Sequence, residues 1–559
     1  MNFLQKISLN RTALIVHFAQ LVFVFSAYRL EPDPHHDGVI YGAAVGASQG
    51  LVPQRDFLSQ YGPMQPLVNG IWLNLFGTSM LSLRFFYCVL LVACSYLVYT
   101  SLRRYIKNDL ALLIPTAWIF TGPFGLPWPS ILSTFLALAS IKLFEQGILT
   151  KTKERFANLF IFLSGIAIGL GVFVRIHILI VSVLVIIMLI VFIKLSIIKS
   201  RIALIWVTGF ITAVTSVVAF LCITGALNFY IYQSIVWPAN FYGKLNITKS
   251  YIVNWFWYPA TFMFVLTIIY SIKIYFEKSN SKFRFINTTI IVLAIFVSSY
   301  FISIQEKSGD LTLRNPKVLV ITFADRVIHS IGYTASTLVI FLSVSLLIRR
   351  KNFFLNPIDP VKWTYLVYGV GIFGQLYPLY DNYHLWMISP VFLLSFCVLS
   401  PIIRNEYSHQ AIKSVLISLI LALCIQQAGQ LQFPRYSYKS EQLLGMQSSW
   451  VSAKGTDLTL LELQKVNNRI KFNCGDGLYA VANGKYQAED RNFYNWDPDT
   501  KMASSSTEYV FFCQATRTKY SNYLEAGWEK TFEIPISIYF EGSTKVYWNV
   551  LLKNSEFLQ

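Results

Sequence analysis

What this chain has least of is charge, and acidic charge above all. Charged residues make up 13% of its 559 positions, about half of the roughly 25% usual in soluble chains. Asp and Glu together number 28, against 46 Lys and Arg. That is too little charge to clothe a soluble domain of this length. There is also no P-loop, no Rossmann glycine pattern, no zinc-ligand spacing and no internal repeat, which removes the nucleotide-cofactor, zinc-module and solenoid classes. Cysteine is sparse. Cys88, Cys94, Cys222, Cys397 and Cys424 lie inside apolar runs, where they read as small core hydrophobes. Only Cys474 and Cys513 fall in polar sequence.

What is abundant is apolar and aromatic surface, 55% and 16% of the chain. Runs of bilayer-crossing length, about 20 residues each, fall near 12–28, 80–101, 109–125, 130–147, 158–174, 177–194, 203–224, 254–275, 285–303, 326–348, 363–379, 385–403 and 411–428. They make about 13 spans. Cations gather in alternate short connections: Arg103, Arg104 and Lys107; Lys151, Lys153 and Arg155; Lys194, Lys199 and Arg201; Lys273, Lys278, Lys282 and Arg284; Arg349, Arg350 and Lys351. The positive-inside rule places all of these in the cytoplasm, together with the N-terminus. The net charge of +18 is therefore a topology signal, and no nucleic-acid partner is expected.

An odd number of spans starting inside ends outside. The first connecting loop, 30–79, and the polar tail from Gly429 onward then share the outer side. The tail carries a helical stretch at 456–469 and short strand candidates at 478–482, 508–513 and 537–540, a pattern for a small α/β or α+β domain. The expected architecture is an all-α polytopic membrane domain over 1–428 with an extracytoplasmic α/β or α+β domain over 429–559. In that oxidising location Cys474 and Cys513 are a candidate disulfide, with free thiols the open alternative. Residues 226–251 are aromatic and weakly amphipathic, suited to a helix lying in the membrane interface.

The segment Glu31–Pro63 holds the most unusual chemistry: Glu31, Asp33, His35, His36, Asp37, Arg55 and Asp56, directly after the first apolar run. Ionisable groups beside a bilayer are costly and are default candidates for function. Asp37 is suited to take a proton from a hydroxyl, with His35 and His36 to orient it or hold an anion; the bland alternative is a helix N-cap. Asp56 is a second acid, for which pairing with Arg55 or ordering a turn is the bland alternative, and Tyr61 heads a Tyr-Gly-Pro turn. Two further groups interrupt apolar runs at outer helix ends. Arg175 and His177 stand at headgroup depth, where guanidinium pairs well with phosphate, although snorkelling would also put an arginine there. Gln375, Asp381 and His384 occupy the other junction. Acids on one side and Arg/His on the other suit a substrate with a hydroxyl to activate and a phosphate to hold.

This arrangement resembles the C-type polytopic glycosyltransferases, whose relatives include protein mannosyltransferases, aminoarabinose transferases and mycobacterial arabinosyltransferases. The resemblance is carried by Asp37 of HHDG shortly after the first span, by GLVPQRDFLSQYGPMQP with Asp56 as a second acidic position, by Arg175 and His384 at the outer junctions, and by the span layout followed by an outer domain. One position departs: Leu379-Tyr380 stands where relatives often carry an arginine, which leaves more of the phosphate binding to Arg175. The resemblance implies a bacterial inner-membrane enzyme moving a monosaccharide from a polyprenyl-phosphate donor to a hydroxyl of a glycan, lipid or protein acceptor. Asp37 would be the base, Asp56 would order the loop or contact acceptor, and Arg175, His177 and His384 would hold the phosphate. His35, His36, Arg55, Tyr61, Gln375 and Asp381 would contact substrate. No cofactor is required, and a divalent cation is compatible with the paired acids but not needed. A flippase or a polymerase of lipid-linked saccharides is the competing reading. The first predicts inverted repeats and broken midplane helices, and the second leaves the acids after the first span unexplained.

Overall fold

The computed structural model describes residues 11–122, 126–150, 154–243, 359–376 and 382–399, and parts of 409–424 and 435–555. Its first half is helical: α1 (Arg11–Ala27), α2 (His36–Ser48), α3 (Met64–Phe76), α4 (Met80–Leu102), α5 (Asn108–Phe120), α6 (Pro129–Leu149), α7 (Glu154–Val172), α8 (Ile178–Lys194) and α9 (Ser200–Ile223). Then come α10 (Leu227–Ile231), a π-helical turn (Tyr232–Val236) and α11 (Trp237–Gly243), followed after the undescribed stretch by α12 (Pro360–Gly371) and α13 (Asn382–Leu399). Among the described helices, α4, α6, α7 and α9 are long and apolar enough to cross a membrane, and α1, α5, α8 and α13 are shorter apolar helices. The apolar runs thus mark helices within a few residues. The expected spans 254–275, 285–303 and 326–348 lie outside the described residues, and 411–428 is only partly described, so the full span count is not tested.

Helix starts follow local chemistry. The Ser79 hydroxyl accepts from the Ser82 amide at the head of α4, and Asp359 caps α12 ahead of Pro360, both standard first-turn solutions. The 30–79 loop is itself structured: the N-cap alternative for Asp37 implies a helix where α2 lies, whereas α3 is not expected from the sequence. The aromatic 226–251 segment is helical from 227 to 243. Of the apolar-run cysteines, Cys88, Cys94 and Cys397 are buried as expected, but Cys222 is exposed on the outside of α9.

The tail contains α14 (Ala453–Leu463) and α15 (Arg517–Glu525). Its strands are β1 (Tyr436–Ser437), β2 (Gln447–Ser448), β3 (Ile470–Asn473), β4 (Tyr509–Ala515), β5 (Trp528–Phe540) and β6 (Ser543–Asn554). The strands β3-β4-β6-β5 form one sheet in that order, with β3 parallel to β4 and the other pairs antiparallel. The expected strand at 478–482 is instead a 3-10 turn, Tyr479–Val481. Leu478 through Ala482 are all buried, and a continuously apolar run does not separate strand from other buried backbone. Cys513 is disulfide-bonded; its candidate partner Cys474 lies outside the described residues.

The tail is seated on the first loop. The Glu31 amide donates to the Gln447 carbonyl (2.8 Å) and the Gln447 amide to that of Arg29 (2.9 Å). The Ser448 hydroxyl donates to Glu31 Oε2 (2.7 Å) and Arg435 pairs with the same carboxylate. At the far end of α2, Gln49 bonds the Gly484 carbonyl (2.8 Å) and the Tyr486 amide (3.2 Å). Gly38 lets the tail approach: a Cβ there would lie 2.6 Å from the Leu478 nitrogen.

Candidate functional site

The site is organised around the start of α6, at Pro127-Trp128-Pro129-Ser130. Proline at the first helical position starts the helix, and Trp128, Ser130 and Ser133 then project toward three distant parts of the chain. The Trp128 indole N–H donates to His384 Nε2 (3.1 Å). Arg175 donates to the Ser130 hydroxyl. The Ser133 hydroxyl donates to Gln375 Oε1 (2.7 Å). Both outer-junction groups singled out in the sequence therefore meet on one helix end. Asp381 lies outside the described residues.

His384 is fixed from behind. Trp386, two residues on, stacks against Trp118 of α5 at 5.2 Å, and each indole N–H donates to the other residue's carbonyl (2.8 and 2.9 Å). This reciprocal pair pins the start of α13 to the end of α5.

The first loop reaches the same place through Tyr61 and His36. Gly62 is pressed against the α7–α8 junction, where a Cβ would fall 1.8 Å from the Phe173 carbonyl oxygen, and the Gly62 amide donates to the Val174 carbonyl (3.2 Å). The contact carries Tyr61 under Arg175, whose guanidinium lies 5.8 Å from the ring centre. Tyr61 also meets Trp128 edge-on at 5.7 Å. From the π-helical turn, Ser234 donates to the Tyr61 carbonyl (3.1 Å), and Gln233 bonds the Ser59 amide (3.0 Å) and the Gln54 carbonyl (2.9 Å). The His36 ring lies 5.5 Å from Trp128.

The acids and imidazoles of the loop separate in role. Asp33, not Asp37, terminates α2: its Oδ1 accepts from the His35 and His36 amides (2.8 and 3.2 Å) and its Oδ2 from His36 Nδ1 (2.6 Å). Burial raises the Asp33 carboxyl, but His36 and the two amides outweigh it and hold the group below its ordinary range. Asp37 is fully buried. Its Oδ2 pairs with Arg84 of α4 and accepts the Asp33 amide (2.8 Å), while Oδ1 has no partner among the described residues. Burial pushes the Asp37 carboxyl up against the pull of Arg84. Arg84 also donates to the carbonyls of Tyr28 (3.0 Å), Leu30 (2.6 Å) and Glu31 (3.0 Å). Arg84 sits inside an apolar run, and only its neutralisation by a distant acid could have flagged it.

Asp56 adopts its bland alternative: Arg55 grips both carboxylate oxygens at 2.8 Å and the Val52 amide donates to Oδ2 (2.7 Å). Arg55 further ties this turn to the Thr224 carbonyl (2.9 Å). His35 meets His36 edge-on at 4.9 Å. His177 stands between α7 and α8, where burial, then Arg175, pulls it down to about 3. It forms the head of an apolar groove of about 360 Å³ that runs along α8 past Ile176, Leu179, Ile180, Val183 and Leu184.

The cluster thus offers a buried guanidinium, a neutral imidazole, hydroxyls and an amide around a helix N-terminus, a combination suited to an anion. An apolar lane leads to it along α8 and a loop bearing acids covers it.

No protein-family model and no curated protein sequence matches the chain. Among solved structures it is similar to the Archaeoglobus fulgidus oligosaccharyltransferase in complex with Zn and sulfate, at 13% identity and a TM-score of 0.46 over 92% of this chain and 61% of that one. It is likewise similar to ArnT from Cupriavidus metallidurans bound to undecaprenyl phosphate, at 12% identity and a TM-score of 0.45 over 97% of this chain and 96% of that one. The chain spans under two thirds of the oligosaccharyltransferase's length, and no residue role passes from either protein to this one.

Proposed function

We propose that the chain is an integral-membrane glycosyltransferase that transfers a monosaccharide from a polyprenyl-phosphate donor to a hydroxyl of a cell-envelope acceptor, on the outer face and with inversion. The single observation that carries this reading is the convergence of Arg175, His384 and the first loop on the start of α6, at the head of the α8 groove. A lipid phosphate needs this pairing: a cation and hydrogen-bond donors for the head, and an apolar lane for the chain.

In the proposed reaction the acceptor oxygen attacks the anomeric carbon while the bond from that carbon to the phosphate oxygen breaks. The electron pair leaves with polyprenyl phosphate, and Arg175, helped by His384 and the α6 N-terminus, stabilises the growing phosphate charge. The acceptor proton goes to Asp37. Two features support that role: Oδ2 is anchored by Arg84 and the Asp33 amide, leaving Oδ1 as the accepting atom, and burial raises its proton affinity toward the working pH. The burial also means that Oδ1 must be uncovered when acceptor arrives. His36 is the rival base, favoured by a specific observation: its ring, anchored by Asp33, is the first-loop imidazole that packs on Trp128.

The test is release of undecaprenyl phosphate from a panel of undecaprenyl-phosphate sugars by the full chain in nanodiscs, with Asp37→Asn and His36→Asn alongside. Release by wild type and by His36→Asn, lost in a folded Asp37→Asn, supports the reading as written. Loss only in His36→Asn moves the base to the Asp33–His36 pair. No release with any donor, even with envelope acceptors added, overturns the glycosyltransferase reading in favour of a flippase or polymerase.

A further inference from the structure

The contact between Trp128 and His384 fixes more than position. An indole nitrogen carries a hydrogen and has no lone pair to offer, so it acts only as a donor. At 3.1 Å from His384 Nε2, it requires that nitrogen to be the unprotonated one. The proton of a neutral His384 must then sit on Nδ1. A second proton, on Nε2, would set two N–H groups head to head inside a buried contact, since Trp128 and His384 are both more than nine-tenths buried.

We infer that Trp128 is a positioning residue that locks His384 as the neutral Nδ1–H tautomer, so that the histidine beside the phosphate site stays uncharged. The inference builds on the proposed function in taking a phosphate as the ligand. Arg175 and His177 approach from the α7–α8 junction. Across the indole lie Tyr61 and His36 with Asp33; Asp33 is the one acid among these groups, and its carboxylate is engaged by His36 (2.6 Å). The division of labour has a chemical consequence: of the groups named here, Arg175 supplies the fixed positive charge to the leaving phosphate, and His384 cannot deliver a proton to it through Nε2. Holding the phosphate would then not depend on the protonation of any histidine here, because His177 is neutral as well.

The experiment uses the full chain, labelled with ¹⁵N-histidine and reconstituted in nanodiscs, with the His384 signals assigned by their loss in His384→Gln. Nitrogen shifts separate protonated from unprotonated ring nitrogens directly. The expected wild-type result is a protonated Nδ1 and an unprotonated Nε2 throughout the range around the ordinary histidine value of about 6.5. In Trp128→Phe, which keeps a ring but removes the N–H, Nε2 should take up a proton as the pH falls through that region. Affinity for undecaprenyl phosphate, expressed as the ratio of variant to wild type at each pH so that the phosphate's own titration cancels, should rise severalfold toward low pH. A wild-type His384 protonated at Nε2, or titrating like a free histidine, overturns the inference without any variant, and so does a folded Trp128→Phe whose His384 signals match wild type. The nitrogen shifts need no turnover. A chain that releases no lipid phosphate but shows this tautomer would sink the proposed function and leave this inference standing.

Discussion

Arg84 and Arg175 are buried to the same degree, 3% and 4% exposed, yet their surroundings differ in kind. Arg84 is enclosed by the Asp37 carboxylate and the carbonyls of Tyr28, Leu30 and Glu31. This cage fastens the chain between α1 and α2 onto α4, and a guanidinium inside it has little capacity for a ligand. The contacts of Arg175 include a hydrogen bond to the Ser130 hydroxyl and the face of Tyr61, both weaker than a carboxylate and both replaceable by an arriving phosphate. Burial of a cation therefore does not by itself mark a binding site. What the cation touches decides which role it can play.

Substituting each arginine should break the comparison in opposite ways. Arg84→Met leaves Asp37 buried without its counter-ion, a change that costs about 3–5 kcal/mol when a carboxylate cannot relax. Burial already raises the Asp37 carboxyl, so protonation offers an escape and the lower end of that range is expected. Thermal unfolding in detergent should show a large loss, partly recovered in Arg84→Met combined with Asp37→Asn. Arg175→Met should cost less on unfolding than Arg84→Met, because the Ser130 hydroxyl and the Tyr61 ring that it leaves behind carry no charge. It should instead weaken undecaprenyl phosphate binding by about 10- to 100-fold, the worth of a charged hydrogen bond of roughly 1.5–3 kcal/mol. Equal unfolding losses in the two variants would erase the distinction.

The next effect is smaller and concerns the cage's outer wall. Gly38→Ala places a methyl 2.6 Å from the Leu478 nitrogen, a clash with backbone that no side-chain rotation relieves. Overpacking of this kind costs about 1–3 kcal/mol, and here the tail can escape it by lifting from α2. Limited proteolysis should cut the variant faster within the tail while α4 to α9 remain intact. Unchanged cleavage would mean that the Glu31 and Gln49 contacts alone hold the tail in place.

Much of this could be read from residue order, and the exceptions share a cause. Hydrocarbon runs gave α4 to α9 to within a few residues because lipid-facing and core-facing positions are both apolar, leaving length as a sufficient signal. Arg175, Gln375 and His384 stood out as polar groups among hydrocarbon. Trp128 did not, because an aromatic residue at a membrane interface is ordinary and its importance lies in a bond to a residue 256 positions away. Arg84 and Asp37 were invisible as a pair for the same reason. The capping signal was present but belonged to Asp33, since α2 begins one residue before Asp37. The helix α3 went unseen because it sits in a loop defined only by the spans on either side. The turn at 478–482 shows the limit of pattern from the other side: burial was legible there, and backbone form was not.

The smallest expected effect separates Asp33 from Asp37 within a single turn of helix. Asp33→Asn keeps an oxygen able to cap α2, since Asn and Asp cap about equally well, and removes only the charge that faces His36. Because His36 is about half exposed, solvent screens the pair and the loss should stay below about 1 kcal/mol. The sign follows from the Asp33 carboxyl being held below its ordinary value of 3.8. Its ionised form stabilises the fold above that value, and the contribution disappears as the pH falls through the lowered one. Wild type should therefore exceed Asp33→Asn slightly in stability near neutral pH and converge with it in strong acid, whereas Asp37→Asn should differ from wild type most where Arg84 demands a full counter-charge. A gap between wild type and Asp33→Asn that widened toward acid would mean that the Asp33 carboxyl is raised rather than lowered, and His36 would then lose its anchor as a rival base.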